Sequence, residues 1–135
     1  MTESENVELV RSIVAGWERG DYGNVGWADP EIEFVLTGGI DPSTSRGLQA
    51  MAEAWGRWLS EFEDFRTTAE EFRELDEERV LVLTNNAGRG RRSGVQLGET
   101  STPGACVFYV RDGKVTRLLA YPDRDVALEE LGLRG

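Results

Sequence analysis

Apolar residues recur three and four positions apart at the start of the chain, where Val7, Val10, Ile13, Val14 and Trp17 fall on one stripe. That spacing predicts an amphipathic helix with one face to bury. Thr2 and Glu5 stand at capping-box spacing, and Gly20 follows the last periodic residue. A second stripe, Leu48, Met51, Ala52, Trp55, Leu59 and Phe62, widened by Trp58, predicts another long helix. Between the two, DYGNVGWADP reads as a short helical turn that carries Val25 and Trp27 and closes at Asp29 and Pro30. It leads into a brief strand from Glu31 to Thr37, and the segment TGGIDPSTSRG that follows is a loop by composition. The two-residue period of a strand sets Glu33, Val35 and Thr37 on one side and Ile32, Phe34 and Leu36 on the other.

The remainder predicts four strands, Phe65 to Leu75, Arg79 to Arg91, Val95 to Val110 and Lys114 to Tyr121, joined as antiparallel hairpins. Asp112-Gly113 is a two-residue hairpin turn, so Val110 is expected opposite Val115, Phe108 opposite Arg117, and Cys106 opposite Leu119. Cys106, Phe108, Leu119 and Tyr121 would then share one face, with Ala105, Val107, Leu118 and Ala120 on the other. Both faces are apolar, whereas a sheet covered on one side only alternates with polar residues. The outer face therefore needs a cover, either a second copy of the chain in a homodimer or the C-terminal segment DRDVALEELGL.

Composition narrows the chemistry. The 135 residues suffice for one domain with one core. A formal charge of −10 repels phosphate backbones, and the cluster Arg89, Arg91 and Arg92 lacks an interleaved aromatic, so no nucleic acid is expected as partner. No apolar run reaches membrane-spanning length and the start MTESENVE lacks signal-peptide character, which implies no membrane partner and a cytoplasmic location. Histidine is absent and cysteine occurs once, at Cys106. Histidine-dependent nucleophiles and the common metal sites are thereby excluded, and no phosphate loop or dinucleotide fingerprint is present, so neither a metal nor another cofactor is expected. Cys106, between Ala105 and Val107, reads first as a small core residue.

The stretches GWADPEIEFV, RGLQAMAEAW, GRGRRSGV and RDGKVTRLLAYPDRDVALEELGL, in this order and spacing, resemble the nuclear-transport-factor-2-like superfamily and in particular its bacterial SnoaL-like members. The resemblance covers essentially the whole chain, residues 1–135, as one domain. It implies an α+β fold, a cone-shaped barrel of curved antiparallel sheet wrapped around N-terminal helices, with a pocket between sheet and helices. Activity does not follow from the fold. In the ketosteroid isomerases a first-helix tyrosine and a protonated aspartic acid form an oxyanion hole while a second aspartate moves the proton. Ile13, Val35 and Cys106 fall at those three positions here, Val35 at that of the base, and none can perform the role. The Arg-x-Asp of limonene epoxide hydrolase-like members is missing from the later strands, and the cavity histidine common in SnoaL-type cyclases has no counterpart.

The candidates left for catalysis are Glu33, Tyr121 and Asn85. Glu33 shares a strand side with Val35, and burial there would raise its pKa, unless it pairs with Arg117 or another arginine. Tyr121 offers a hydroxyl and Asp123 a carboxylate that either meets a ligand or caps a helix. Of the neighbours Asn85 and Asn86 only one can face a pocket. Trp17, Val35, Trp55, Leu59, Cys106 and Phe108 are the candidate ligand-binding residues, in a cavity suited to a small hydrophobic molecule such as a polyketide or steroid-like ring system. Two functions follow. One is a cofactor-free isomerase, cyclase or hydrolase working through a buried carboxylate; the other is a non-catalytic ligand-binding or dimeric interaction module.

Overall fold

The N-terminal stripe forms helix α1, Glu5–Glu18, with Val7, Val10, Ile13, Val14 and Trp17 buried. The computed structural model describes residues 5–22, 25–37, 43–60, 62–90, 100–121 and 123–132, of which residues 43, 58–60, 62–65, 88–90 and 100–102 are described by their backbone alone. Strand β1, Ala28–Leu36, and the short β2, Ser43–Arg46, precede helix α2, Leu48–Ser60. Strands β3, Phe62–Glu74, β4, Arg79–Gly90, β5, Thr100–Arg111, and β6, Lys114–Tyr121, come next, and helix α3, Arg124–Glu130, closes the chain. Among the described residues, no helix is long and apolar enough to cross a membrane.

The six strands form one open mixed sheet in the order β2-β1-β6-β5-β4-β3. The β3 to β6 hairpins are antiparallel as the turns predict, but β1 runs parallel to β6, with Phe34 opposite Leu118 and Leu36 opposite Ala120. Two further expectations fail. The DYGNVGWADP segment is not helical in its described part: Gly26 and Trp27 turn and β1 begins at Ala28. Part of the expected loop, Ser43–Arg46, is an edge strand paired with β1. Its Ser-Thr-Ser-Arg sequence shows no apolar alternation because backbone pairing, not burial, holds it.

The predicted register across the Asp112-Gly113 turn holds for one pair only. Val110 pairs with Val115, but Tyr109 pairs with Arg117, which leaves Thr116 as an extra residue in β6. A bulge of one residue inverts every later side chain. Phe108 therefore meets Leu118 and Cys106 meets Ala120, while Leu119 and Tyr121 turn to the other side with Val107 and Ala105. The helices α1 and α2 lie on the concave face, where Ile32, Phe34, Met51, Val80, Val82, Phe108 and Leu118 form the main core. A second cluster, Leu81, Ala105, Val107, Leu119, Tyr121 and Ala127, occupies the convex face under α3. Leu81, Val107 and Ala127 are fully buried there within the single chain, so α3 supplies cover that the apolar outer face requires. Asp123 caps α3, its carboxylate accepting from the Asp125 N–H at 2.9 Å.

Candidate functional site

Aromatic residues bring the two helices together over the concave sheet. Trp55 of α2 is the centre of the group: Trp17 of α1, Tyr22 and Phe34 stand nearly perpendicular to it, at centroid distances of 5.5, 6.5 and 6.0 Å. Trp27 stacks on it at 6.1 Å, and Phe108 sits behind Trp17 at 5.6 Å. Such edge-to-face and offset contacts stabilise by about 0.5–1.5 kcal/mol each beyond the area they bury. The group is thus a packed wall rather than a set of free side chains.

A cavity of about 110 Å³ remains between this wall and the sheet. Trp17, Tyr22, Ala54 and Trp55 line it from the helical side. Phe34 and Leu36 of β1, Leu118 and Ala120 of β6 and Cys106 of β5 line it from the sheet. Its polar rim comes from the adjacent strands β3 and β4, where Thr67 and Asn86 are cross-strand partners. Thr67 Oγ1 donates to Asn86 Oδ1 at 2.7 Å. Gly104 makes room for that amide, because a Cβ built there would lie 2.7 Å from Asn86 Nδ2 and 2.9 Å from the Tyr121 carbonyl oxygen. Two carbonyls beside this point, Thr84 O and Gly104 O, accept from Arg124 Nη2 at 2.7 Å and Nε at 3.3 Å. Arg124 Nη2 also meets the carboxylate of Glu70, the bulged residue of β3, and so ties α3 to the rim.

The lining stays uncharged. Burial pushes the Cys106 thiol, which lines the cavity, up to about 12. Burial likewise raises the Tyr22 phenol above its ordinary value. The Tyr22 hydroxyl is shielded from solvent and finds no hydrogen-bond partner among the described residues. A buried hydroxyl in that condition costs about 1–3 kcal/mol.

Of the predicted ligand-binding residues, Trp17, Trp55 and Cys106 meet at this cavity. Phe108 does not reach it, being wholly buried in the core behind Trp17. Val35 packs into the convex cluster, on the far side of the sheet. Leu59 lies outside the residues whose side chains are described. The predicted catalytic set is not assembled. Glu33 is on the convex face, where parallel pairing sets it opposite Arg117 and its carboxylate meets Arg117 Nε at 3.0 Å. Tyr121 borders the cavity, but the Thr116 bulge directs its side chain to the convex cluster, where burial, then a hydrogen bond to Glu130, pushes its pKa up to about 12. Asn85 alternates away from the cavity and Asn86 faces it. Both faces of Val80 to Leu83 are apolar, so the sequence carries no phase for this strand and Asn86 cannot be chosen over Asn85 from it. Tyr22, Thr67 and Gly104 were equally beyond reach, each placed by tertiary contact alone.

Neither a protein-family model nor a curated protein matches the sequence. Solved structures do match its fold. An NTF2-like protein of unknown function from Burkholderia pseudomallei superimposes with a TM-score of 0.77 at 17% identity, covering 94% of this chain and 97% of that one. TerC, co-crystallised with polyporic acid, gives 0.74 at 24% identity over 95% and 98%. A protein of ketosteroid isomerase-like fold from Catenulispora acidiphila, in complex with trimethylamine, gives 0.68 at 16% over 94% of each chain. Other neighbours have cystatin-like and SnoaL-like folds. The chain has the nuclear-transport-factor-2-like fold, an α+β cone, as its sequence resemblance implies.

Proposed function

We propose that this protein binds a small hydrophobic molecule carrying one hydrogen-bonding group in the cavity between α1, α2 and the concave sheet, without carboxylate catalysis. The observation that carries this reading is the lining itself. Among the described residues it contains aromatic and aliphatic side chains, a protonated thiol and the Thr67–Asn86 pair, and no carboxylate. A proton-shuttling acid needs to stand within hydrogen-bond reach of its substrate. Glu33, the carboxylate nominated for that role, lies across the sheet in an ion pair with Arg117. An amide in an apolar enclosure is instead suited to orienting a carbonyl or hydroxyl. Neighbours that hold polyporic acid and trimethylamine support a pocket for small molecules on this fold.

Thermal melting and tryptophan fluorescence of the purified protein against small ketones, alcohols and phenols test the reading. A ligand at about a hundred times its dissociation constant adds about 2.7 kcal/mol of stability to the folded state. Binding that is lost in Asn86→Ala supports the proposal; a panel without any effect counts against it.

The reading extends to a homodimer through the convex face, where Val35, Leu83 and Tyr109 are half-buried beside the covered cluster. Sedimentation equilibrium decides it, a monomer mass at micromolar concentration being the contrary result.

A further inference from the structure

The dimensions and stiffness of the cavity restrict its ligand further than the binding reading does. An apolar cavity of about 150 Å³ admits one benzene molecule. This one measures about 110 Å³. Fused rings therefore exceed the space between the walls unless a wall moves, and among the described residues both walls are built mainly of helix and strand, with Tyr22 added from the segment after α1.

The helical wall is held by Trp55, whose ring contacts Trp17, Tyr22, Trp27 and Phe34 at once, with Trp17 in turn resting on the fully buried Phe108. Displacing Trp55 disturbs all of these contacts together. The sheet wall is no softer, since Cys106 lies on β5 between paired β4 and β6, and Leu118 and Ala120 lie on β6 between paired β5 and β1. Partly buried walls tied together by ring contacts and strand pairing give little when a larger group is inserted between them.

Charge is restricted as well. No lining side chain among the described residues is ionised at neutral pH, so an ionic ligand would be buried without a counter-charge, which is strongly unfavourable. One polar function is provided for. The Asn86 amide is held by Thr67 and seated over Gly104, which leaves it oriented at the cavity rim, and the Tyr22 hydroxyl at the other side has no protein partner among the described residues.

Building on the binding reading, we infer that the cavity prefers uncharged molecules that seat a single six-membered ring bearing one hydroxyl or carbonyl over fused-ring polyketide or steroid-like molecules. Phenol is the matching probe. Its ring fills the aromatic enclosure and its hydroxyl both donates and accepts at the amide.

The test titrates the full chain with phenol, toluene, 2-naphthol and the ring-sized cation N-methylpyridinium, reading the melting temperature and the 15N-indole resonances of the tryptophans. Phenol is expected to raise the melting temperature and to move the Trp17 and Trp55 indoles, with 2-naphthol weaker by about tenfold or more, the loss expected when a close-packed site is overfilled. Toluene should bind less tightly than phenol and N-methylpyridinium should not bind. Tighter binding of 2-naphthol overturns the size limit while leaving the binding reading intact. Tighter binding of the cation overturns the requirement for neutrality, and toluene equal to phenol overturns the polar requirement. Phenol that binds without moving the Trp17 and Trp55 indoles occupies another site and overturns the inference. If none of the four binds, the binding reading falls and this inference with it. In Ala120→Leu, whose larger side chain fills the cavity, phenol binding should vanish; a correctly folded variant that still binds phenol contradicts the assignment.

Discussion

Thr67 and Asn86 face one another across β3 and β4, joined by a hydrogen bond of 2.7 Å from the threonine hydroxyl to the amide oxygen. Thr67 is 7% exposed, so its hydroxyl has little access to bulk water. Thr67→Val keeps the shape and removes the donor, which leaves a partly buried acceptor unsatisfied. Loss of about 1–2 kcal/mol is expected in urea unfolding, together with weaker binding of any carbonyl- or hydroxyl-bearing ligand. Unchanged stability and unchanged binding would show that the pair does not orient the amide.

Gly104 is predicted to tolerate no side chain. In Gly104→Ala the new methyl meets Asn86 Nδ2 at 2.7 Å, the Tyr121 carbonyl oxygen at 2.9 Å and Thr84 Oγ1 at 3.2 Å. The amide can swing away but the backbone carbonyl cannot, so destabilisation of about 1–3 kcal/mol remains even when Asn86→Ala is added. A double-mutant cycle by chemical denaturation measures both parts. A Gly104→Ala protein of wild-type stability would contradict the close approach.

Arg124 holds α3 to the pocket rim through Thr84 O, Gly104 O and Glu70. Arg124→Met retains much of the stem and deletes the donors. Hydrogen bonds from a charged donor contribute about 1.5–3 kcal/mol, so a loss in that range is expected, with faster amide exchange in α3 than in β5 and β6. Uniform exchange rates across the three elements would argue that α3 is held by its apolar residues alone.

Glu33→Gln should change little. Its pair with Arg117 is substantially exposed, with side-chain exposures of 32% and 45%, and pairs of that kind contribute roughly 0–1 kcal/mol. Ligand binding should be equal to wild type within error. A marked loss of binding or of a detected activity in this variant would return Glu33 to the site and overturn the placement of chemistry on the concave side.

The Cys106 thiol ionises less readily in the folded chain than in the unfolded one, because burial raises it from 9.0 to about 12. Its contribution to stability is complete below about pH 9 and is lost as pH rises from there toward about 12, because only the unfolded state releases the proton. Melting temperatures measured between about pH 8 and 11 should fall more steeply for wild type than for Cys106→Ala. At about pH 8 the folded protein should react with a thiol reagent far more slowly than the urea-unfolded chain. Identical pH slopes for the two proteins would rule out a desolvated thiol.

Much of this architecture is legible along the chain because hydrophobic period reports directly on burial. Val7 to Trp17 and the stripe from Leu48 to Leu59 mark their helices, although Phe62, read as the end of that stripe, opens β3; Asp112-Gly113 marks its hairpin, and Lys114 to Tyr121 is a strand with the bounds its pattern indicates. Histidine's absence and the solitary cysteine are likewise settled by the residues themselves. Which residues face the cavity is another matter. It depends on the strand phase, and one extra residue in β6, Thr116, moves Tyr121 from the concave to the convex side. Strands apolar on both faces, as in Val80 to Leu83, have no alternation from which that phase can be read. The parallel docking of β1 on β6 sent Glu33 to Arg117, and the cross-strand meeting of Thr67 with Asn86 over Gly104 built the polar rim. These are contacts between distant segments, fixed by sheet register and packing, so local pattern identified the elements and tertiary structure alone selected the site.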